Sequence, residues 1–176
     1  KNPKRPGFPE KIEWMNRQLE NGLAIKMLVS EEQGNQGMIE YIPGEFAWRP
    51  VEAKGYLFIH CIFMGFKKEH KGKGLGSSLI EVVEEEATKK KMKGVAIVTR
   101  KGSFMVGREI FLKRGYILAD KAKPDFDLMA LRFDQSSEVP KFNPGLEKRA
   151  AAYGDGLTII RASQCPYTVK NVNEIE

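Results

Sequence analysis

An almost wholly apolar run, residues 56–66, leads through a short charged stretch into His70-Lys71-Gly72-Lys73-Gly74-Leu75-Gly76-Ser77-Ser78, and that turn opens a segment of helical period. No other feature limits the fold so tightly. A strand this apolar is expected to be covered on both faces, which makes it the central strand of a sheet. Beyond the turn, Leu79, Ile80, Val83 and Ala87 form one stripe of a helix over residues 77–91, while Glu85/Lys89 and Glu86/Lys90 pair on the other face. Glycines on alternate positions leave the backbone bare at the passage between the two. Successive N–H groups at such a helix start can hydrogen-bond an anion such as a pyrophosphate, which the helix dipole also favours.

Three phosphate turns compete for this stretch. A Walker loop needs lysine and then Ser or Thr after its last glycine, but Gly76 is followed at once by Ser77 and Ser78. A dinucleotide fingerprint needs G-x-G-x-x-G, whereas the spacing here is G-x-G-x-G. What remains is a basic residue, two intervening positions and G-x-G, from Lys71 to Gly76.

The rest of the chain supplies the layers around this unit. Residues 9–19 carry Ile12, Met15 and Leu19 at helical spacing, with Gly22 beyond. Residues 23–29 and 37–42 read as a hairpin, 95–98 as a strand, 103–114 as a second helix stopped by Gly115, and 117–119 and 128–133 as closing strands. Ser, Pro and Gly punctuate 134–156 around a short helix at 146–152, which reads as a linker. A strand at 157–160 and a helical tail at 171–176 follow. The expected organisation is a domain over 1–133, the linker, and the start of a second domain over 157–176. Because the chain opens on Lys1 and closes inside a helical stretch, further segments are expected beyond its ends.

With 41% hydrophobic and 30% charged residues the composition is that of a water-soluble globular protein, and +6 is a modest excess of base for 176 residues. Without a basic run interleaved with aromatics, nucleic acid is not expected as a partner. The longest apolar run is too short to span a bilayer, so no membrane is expected either. Two distant cysteines, Cys61 and Cys165, lack the spacing of a zinc site or disulfide framework. They fit free thiols in a reducing compartment, the cytoplasm, and no metal is expected.

The turn from Lys71 to Gly76 resembles the acyl-coenzyme-A turn of the GNAT acetyltransferase superfamily, whose pattern is Gln or Arg, two positions, Gly, one position, then Gly or Ala. Lysine departs from the first position and gives up the forked geometry of arginine. The sequence Ile110-Phe111-Leu112-Lys113-Arg114-Gly115-Tyr116 and the order of elements extend the resemblance over about residues 8–133, although one strand and helix at the N-terminus are lacking. It implies an α/β fold whose mixed, mostly antiparallel central sheet splays open beside the central strand, with acetyl-CoA as cofactor. It implies further that the pantetheine arm runs along Met64, Gly65 and Phe66, that the pyrophosphate takes amides from Lys71, Gly72, Lys73, Gly74, Leu75, Gly76 and Ser77, and that Phe104, Gly107 and Phe111 flank the arm. The implied reaction is N-acyl transfer, with an amine of a small molecule or peptide attacking the thioester directly. The alternative is an acyl-CoA-binding or thiol-sensing module without turnover. Homodimerisation stays open.

Many family members carry glutamate on the central strand where this chain has His60 and Cys61. An imidazole with its ordinary pKa near about 6.5 can accept the amine's proton. Strand alternation places His60 and Cys61 on opposite faces, and the cysteine also fits simple packing. The family's acid, a tyrosine on the second helix, falls on Phe111, which has no proton to give; Tyr116 is the nearest substitute. Backbone N–H near Met64 is the expected oxyanion donor. Glu45, Trp48 and Arg49, in the aromatic segment before the central strand, are the acceptor-recognising candidates, or else cap and solvate the sheet end.

Finally, residues 157–160 with Cys165-Pro166-Tyr167-Thr168 resemble the first strand and active-site turn of a thioredoxin or glutaredoxin domain, and the chain as a whole resembles a GNAT protein with a YoaP-type C-terminal domain. Thr168 stands at the second cysteine position, so dithiol exchange is excluded.

Overall fold

The computed structural model describes residues 5–32, 34–65, 73–102, 105–159 and 161–175. Phe66, Lys71, Gly72 and Phe104, expected at the cofactor, lie outside them. The chain divides into two compact units, Ala24–Phe142 and Lys1–Leu23 with Asn143–Glu176.

The larger unit is built on a six-stranded sheet of order β1-β2-β4-β5-β7-β6. Its strands are β1 (Ala24–Ser30), β2 (Gly34–Pro43), β4 (Tyr56–Met64), β5 (Gly94–Arg100), β6 (Ile117–Ala122) and β7 (Phe126–Arg132). β4 and β5 are the parallel pair, and every other neighbouring pair is antiparallel. A parallel pair needs a crossover, and α2 (Leu75–Lys89) supplies it. Its stripe of Leu79, Ile80, Val83 and Ala87 is buried as the 3.6-residue period requires. These side chains join Ile39, Tyr41, Leu57, Ile59, Val95 and Ile97 in one core layer. Each large aliphatic group there contributes about 1.5–3 kcal/mol of burial. Alternate residues of the same strands, Tyr56, Phe58, Ala96, Val98 and Leu128, form the layer on the other face.

Ion pairs tie α2 to the hairpin. Tyr41 Oη donates to Glu86, and Lys90 and Lys26 lie 2.7 and 3.4 Å from the same carboxylate. Burial works against ionisation of Glu86, yet the hydrogen bonds from Lys90 and Tyr41 and the two lysine charges hold its pKa down at about 2.

Sequence and structure part at four places. The second helix, α3, covers only Glu109–Leu112, because the Val106 carbonyl is turned back to accept the Arg100 N–H at the end of β5, and β-branched Val106 and Gly107 are weak helix formers. The stretch expected as a linker is partly ordered onto the sheet: Tyr56 Oη donates to the Glu138 carbonyl. Within it, β8 (Lys141–Phe142) pairs with β3 (Val51–Glu52), and the Phe142 N–H donates to Asp120. Two-residue strands such as these leave no periodic signal to read. Residues 157–159 form no strand. The tail helix starts earlier than expected, as α5 (Pro166–Asn173).

The smaller unit holds α1 (Phe8–Leu19), α4 (Leu146–Ala151) and α5. α1 packs on α5, with Gly7 so close to the Pro166 backbone that a Cβ would collide with it. α1 therefore lies with the C-terminal segment, and the boundary after the sheet follows Phe142. Cys165 is half-buried just before α5. Thr168 Oγ1 donates to the Ala162 and Cys165 carbonyls at 2.9 and 2.7 Å, so the residue at the second cysteine position serves as a turn former.

Candidate active site

β4 and β5 are paired from Tyr56↔Gly94 to Ile59↔Ile97 and no further. β4 then continues against β2 as far as Met64, while β5 continues against β7 to Arg100. Among the described residues, no strand occupies the β5-facing edge of β4 beyond Ile59, and the two strands open a notch at their carboxyl ends. The Gly65 N–H donates to the Gln36 carbonyl at 2.8 Å, toward β2. Since successive residues of an extended strand direct their amides to opposite edges, the Met64 N–H is aimed into the notch. The expected role of Gly65 is corrected, since its amide belongs to the ladder with β2.

α2 begins at the same end. Gly74 is its N-cap at φ 74°, a left-handed conformation suited to glycine, and a Cβ there would meet nothing within 4 Å. Among the described residues no side chain caps the helix. The first intrahelical bond runs from Ser78 N–H to the Gly74 carbonyl, so the amides of Leu75, Gly76 and Ser77 have no partner within the helix. Gly76 packs between the elements: a Cβ on it would stand 3.8 Å from Ile110 and 3.9 Å from Met64. The start of α2 at Gly76, the end of β4 and α3 therefore converge, and bare amides beside an open strand edge fit a ligand that is anionic at one end and amide-bearing along its length.

The catalytic candidates are arranged otherwise than alternation predicts. β2 and β4 shift register between Glu40 and Tyr41: Glu40 faces Cys61, Tyr41 faces Ile59, and His60 is the extra residue of a β-bulge. Ile59 and Ile62 both pack toward α2, so His60 and Cys61 lie together on the opposite face. Their expected separation is thereby corrected. Glu40, unremarked in the sequence because it sits within an apolar strand, is fully buried on that face, with Oε1 3.5 Å from His60 Nδ1. His60 Nε2 accepts the Trp48 N–H at 3.3 Å. The imidazole packs on Phe58, with ring centroids 5.6 Å apart, and has Trp48 at 6.4 Å; the Arg49 guanidinium covers the Trp48 ring at 4.6 Å. Trp48, Arg49 and His60 are brought together, but Glu45 is not. Its carboxylate accepts the Gly55 N–H at 3.4 Å, before the far end of β4.

Phe111 and Tyr116 are core residues, their rings edge to face at 5.2 Å and both almost completely buried. Burial, followed by the neighbouring Glu84 carboxylate, pushes the Tyr116 hydroxyl pKa up. Tyr116 is thus corrected as an acid, and Phe111 as a wall of the notch. Gly107 lines a separate cavity of about 550 Å³ with Thr99, Arg108, Lys121, Asp125 and Asp127, on the β7 side of β5. Among the described residues no cluster of His, Cys, Asp and Glu could hold a metal ion, and no helix is long and apolar enough to cross a membrane.

The overall fold recurs in solved structures. An N-acetyltransferase of the GNAT family from Escherichia coli, YhbS, solved with CoA, superimposes with a TM-score of 0.50 at 12% identity over 78% of each chain. PaiA N-acetyltransferase from Thermoplasma acidophilum, in complex with coenzyme A, gives 0.52 at 17% identity, over 72% of this chain and 69% of that one. The chain shares the fold of these acetyltransferases. An aminoglycoside 6′-acetyltransferase of type Ii shares the GNAT-like fold of this chain with a TM-score of 0.53 at 14% identity, over 71% of this chain and 78% of its own. In sequence, the uncharacterised N-acetyltransferase YoaP of Bacillus subtilis is 27% identical over 168 residues, 94% of this chain. The chain spans 64% of that relative's length. No family model matches the sequence.

Proposed function

We propose that the chain is an acetyl-CoA-dependent N-acyltransferase that acetylates a primary amine of a small molecule or peptide by direct attack on the thioester. The observation that carries this reading is the convergence of the unpaired β4 edge, with Met64 N–H aimed outward, and the uncapped, glycine-rich start of α2. When bound, acetyl-CoA supplies an activated acetyl group. The amides of Leu75, Gly76 and Ser77 hold its diphosphate, and the Met64 N–H is the donor for amide or developing oxyanion along the strand edge. The CoA-bound relatives of like fold support the same cofactor.

Both nitrogens of the His60 ring face protein groups, so His60 is assigned to holding Trp48. The acceptor reacts as the free amine and its proton passes to water; the thiolate leaves without Tyr116. The 27% identical N-acetyltransferase supports turnover. The engagement of His60 and the burial of Tyr116 favour a second reading, acyl-CoA binding without turnover. Calorimetry with acetyl-CoA, NADH and ATP tests the shared premise, and acetyl-CoA is expected to bind alone. Thiol release from acetyl-CoA with a panel of primary amines then separates the two readings. Binding with no release by any amine rejects the enzyme, and binding of NADH or ATP instead rejects both.

A further inference from the structure

We propose that Glu40, His60 and the Trp48 amide form a positioning relay that fixes the Trp48–Arg49 stack beside the notch as a specificity-determining wall. The inference of a wall for the acceptor rests on the function proposed above; the relay itself rests on geometry. Glu40 comes from β2 and His60 from the bulge of β4, at the residue after the last β4–β5 pair. Both side chains are 0% exposed. Burying a carboxylate beneath an apolar sheet face carries a desolvation cost that packing alone does not explain. The relay gives it a task.

His60 Nε2 accepts from the Trp48 backbone, so in the neutral ring the hydrogen resides on Nδ1, with the Glu40 carboxylate 3.5 Å away, near it in charge but beyond hydrogen-bond geometry. Either alternative puts a hydrogen on Nε2 against the Trp48 N–H, donor against donor. The nearby negative charge therefore favours the tautomer that can hold the 47–50 segment, and the bulge points the ring to that segment rather than to the α2 side. Trp48 is about a third exposed and carries Arg49 on its face. A segment held at its backbone while its ring stays accessible is suited to meeting an acceptor.

The test uses the full chain. ¹⁵N spectra are expected to show His60 protonated at Nδ1 and bare at Nε2, and amide exchange to show Trp48 protected. Glu40→Met should fold, since an apolar replacement of a buried charge is commonly tolerated, but lose the tautomer and raise Trp48 exchange at least tenfold. Glu40→Gln keeps an oxygen at the same reach and should restore most of both. All three chains should bind acetyl-CoA within twofold of one another, and Glu40→Met should change the rank order of amines turned over. An Nε2–H tautomer in the wild type, unchanged Trp48 exchange in Glu40→Met, or an unchanged amine ranking overturns the relay. Should Glu40→Met fail to fold, the wild-type tautomer and the exchange of Glu40→Gln decide. Absence of acetyl-CoA binding or of any turnover counts against the proposed function, and the relay is then judged on tautomer and exchange alone.

Discussion

From Leu57 to Ile59 the central strand has a hydrogen-bonded neighbour on either side and is buried on both faces; from Cys61 to Met64 no strand among the described residues pairs with one edge, and each residue is only half-buried. The sequence of the two halves is almost equally apolar. Apolarity therefore marks the strand without distinguishing the part that holds the fold from the part proposed to meet a ligand. The distinction comes from β5 turning away to β7, and the bulge at His60 marks the changeover.

Substitutions can widen or erase this contrast. Phe58→Ala should cost about 3–5 kcal/mol in chemical denaturation, far more than Met64→Ala. Equal losses would mean that the outer half is as integral to the core as the inner half. Met64→Pro removes an amide that the β2 ladder does not use and should spare the fold as prolines on strand edges do, while slowing the proposed acetyl transfer by about 10²–10³. Gly65→Pro removes a ladder bond and should instead lower stability by about 1 kcal/mol. If both prolines destabilise alike, the Met64 amide does not face the notch.

Gly76→Ala sets the two roles against each other at one position. Its methyl would make only ordinary contacts with Ile110 and Met64, and alanine should stabilise the helix by about 0.5–1 kcal/mol. If bare backbone is needed by a diphosphate, acetyl-CoA affinity falls even as the melting temperature rises; a rise in both breaks the assignment. The smallest effect lies away from the notch, at Glu86. Its depressed pKa contributes stability that is present above about 4.5, the unfolded value, and is lost as pH falls through about 2. Melting curves of wild type and Glu86→Gln should therefore converge on acidification, and a gap that widens instead would contradict the ion-pair network.

Much of the fold was legible in the sequence because it is written in period and punctuation. The stripe of α2, the hairpin and the apolar runs each obey one repeat, and the glycines between β4 and α2 have a spacing that few turns share. The bulge was not legible: one extra residue leaves no trace in composition, yet it puts His60 and Cys61 on one face and brings Glu40 to the imidazole. Tyr116 was misplaced for a related reason, since a tyrosine at a strand start reads the same whether its hydroxyl meets a cleft or a core. The α1–α5 packing was hidden by distance along the chain, as Gly7 and Pro166 carry no local sign of each other.

The strap from Asp134 to Phe142 bears on where this chain can be cut. A cleavage after Phe133, at the compositional boundary, would remove the carbonyl that receives the Tyr56 hydroxyl, strip β8 from β3, and bare the sheet face on which Phe142 packs. One after Phe142 would leave all three intact. Limited proteolysis should accordingly spare the 134–142 stretch and cut beyond it, so that the resistant fragment ends with the strap rather than with β7.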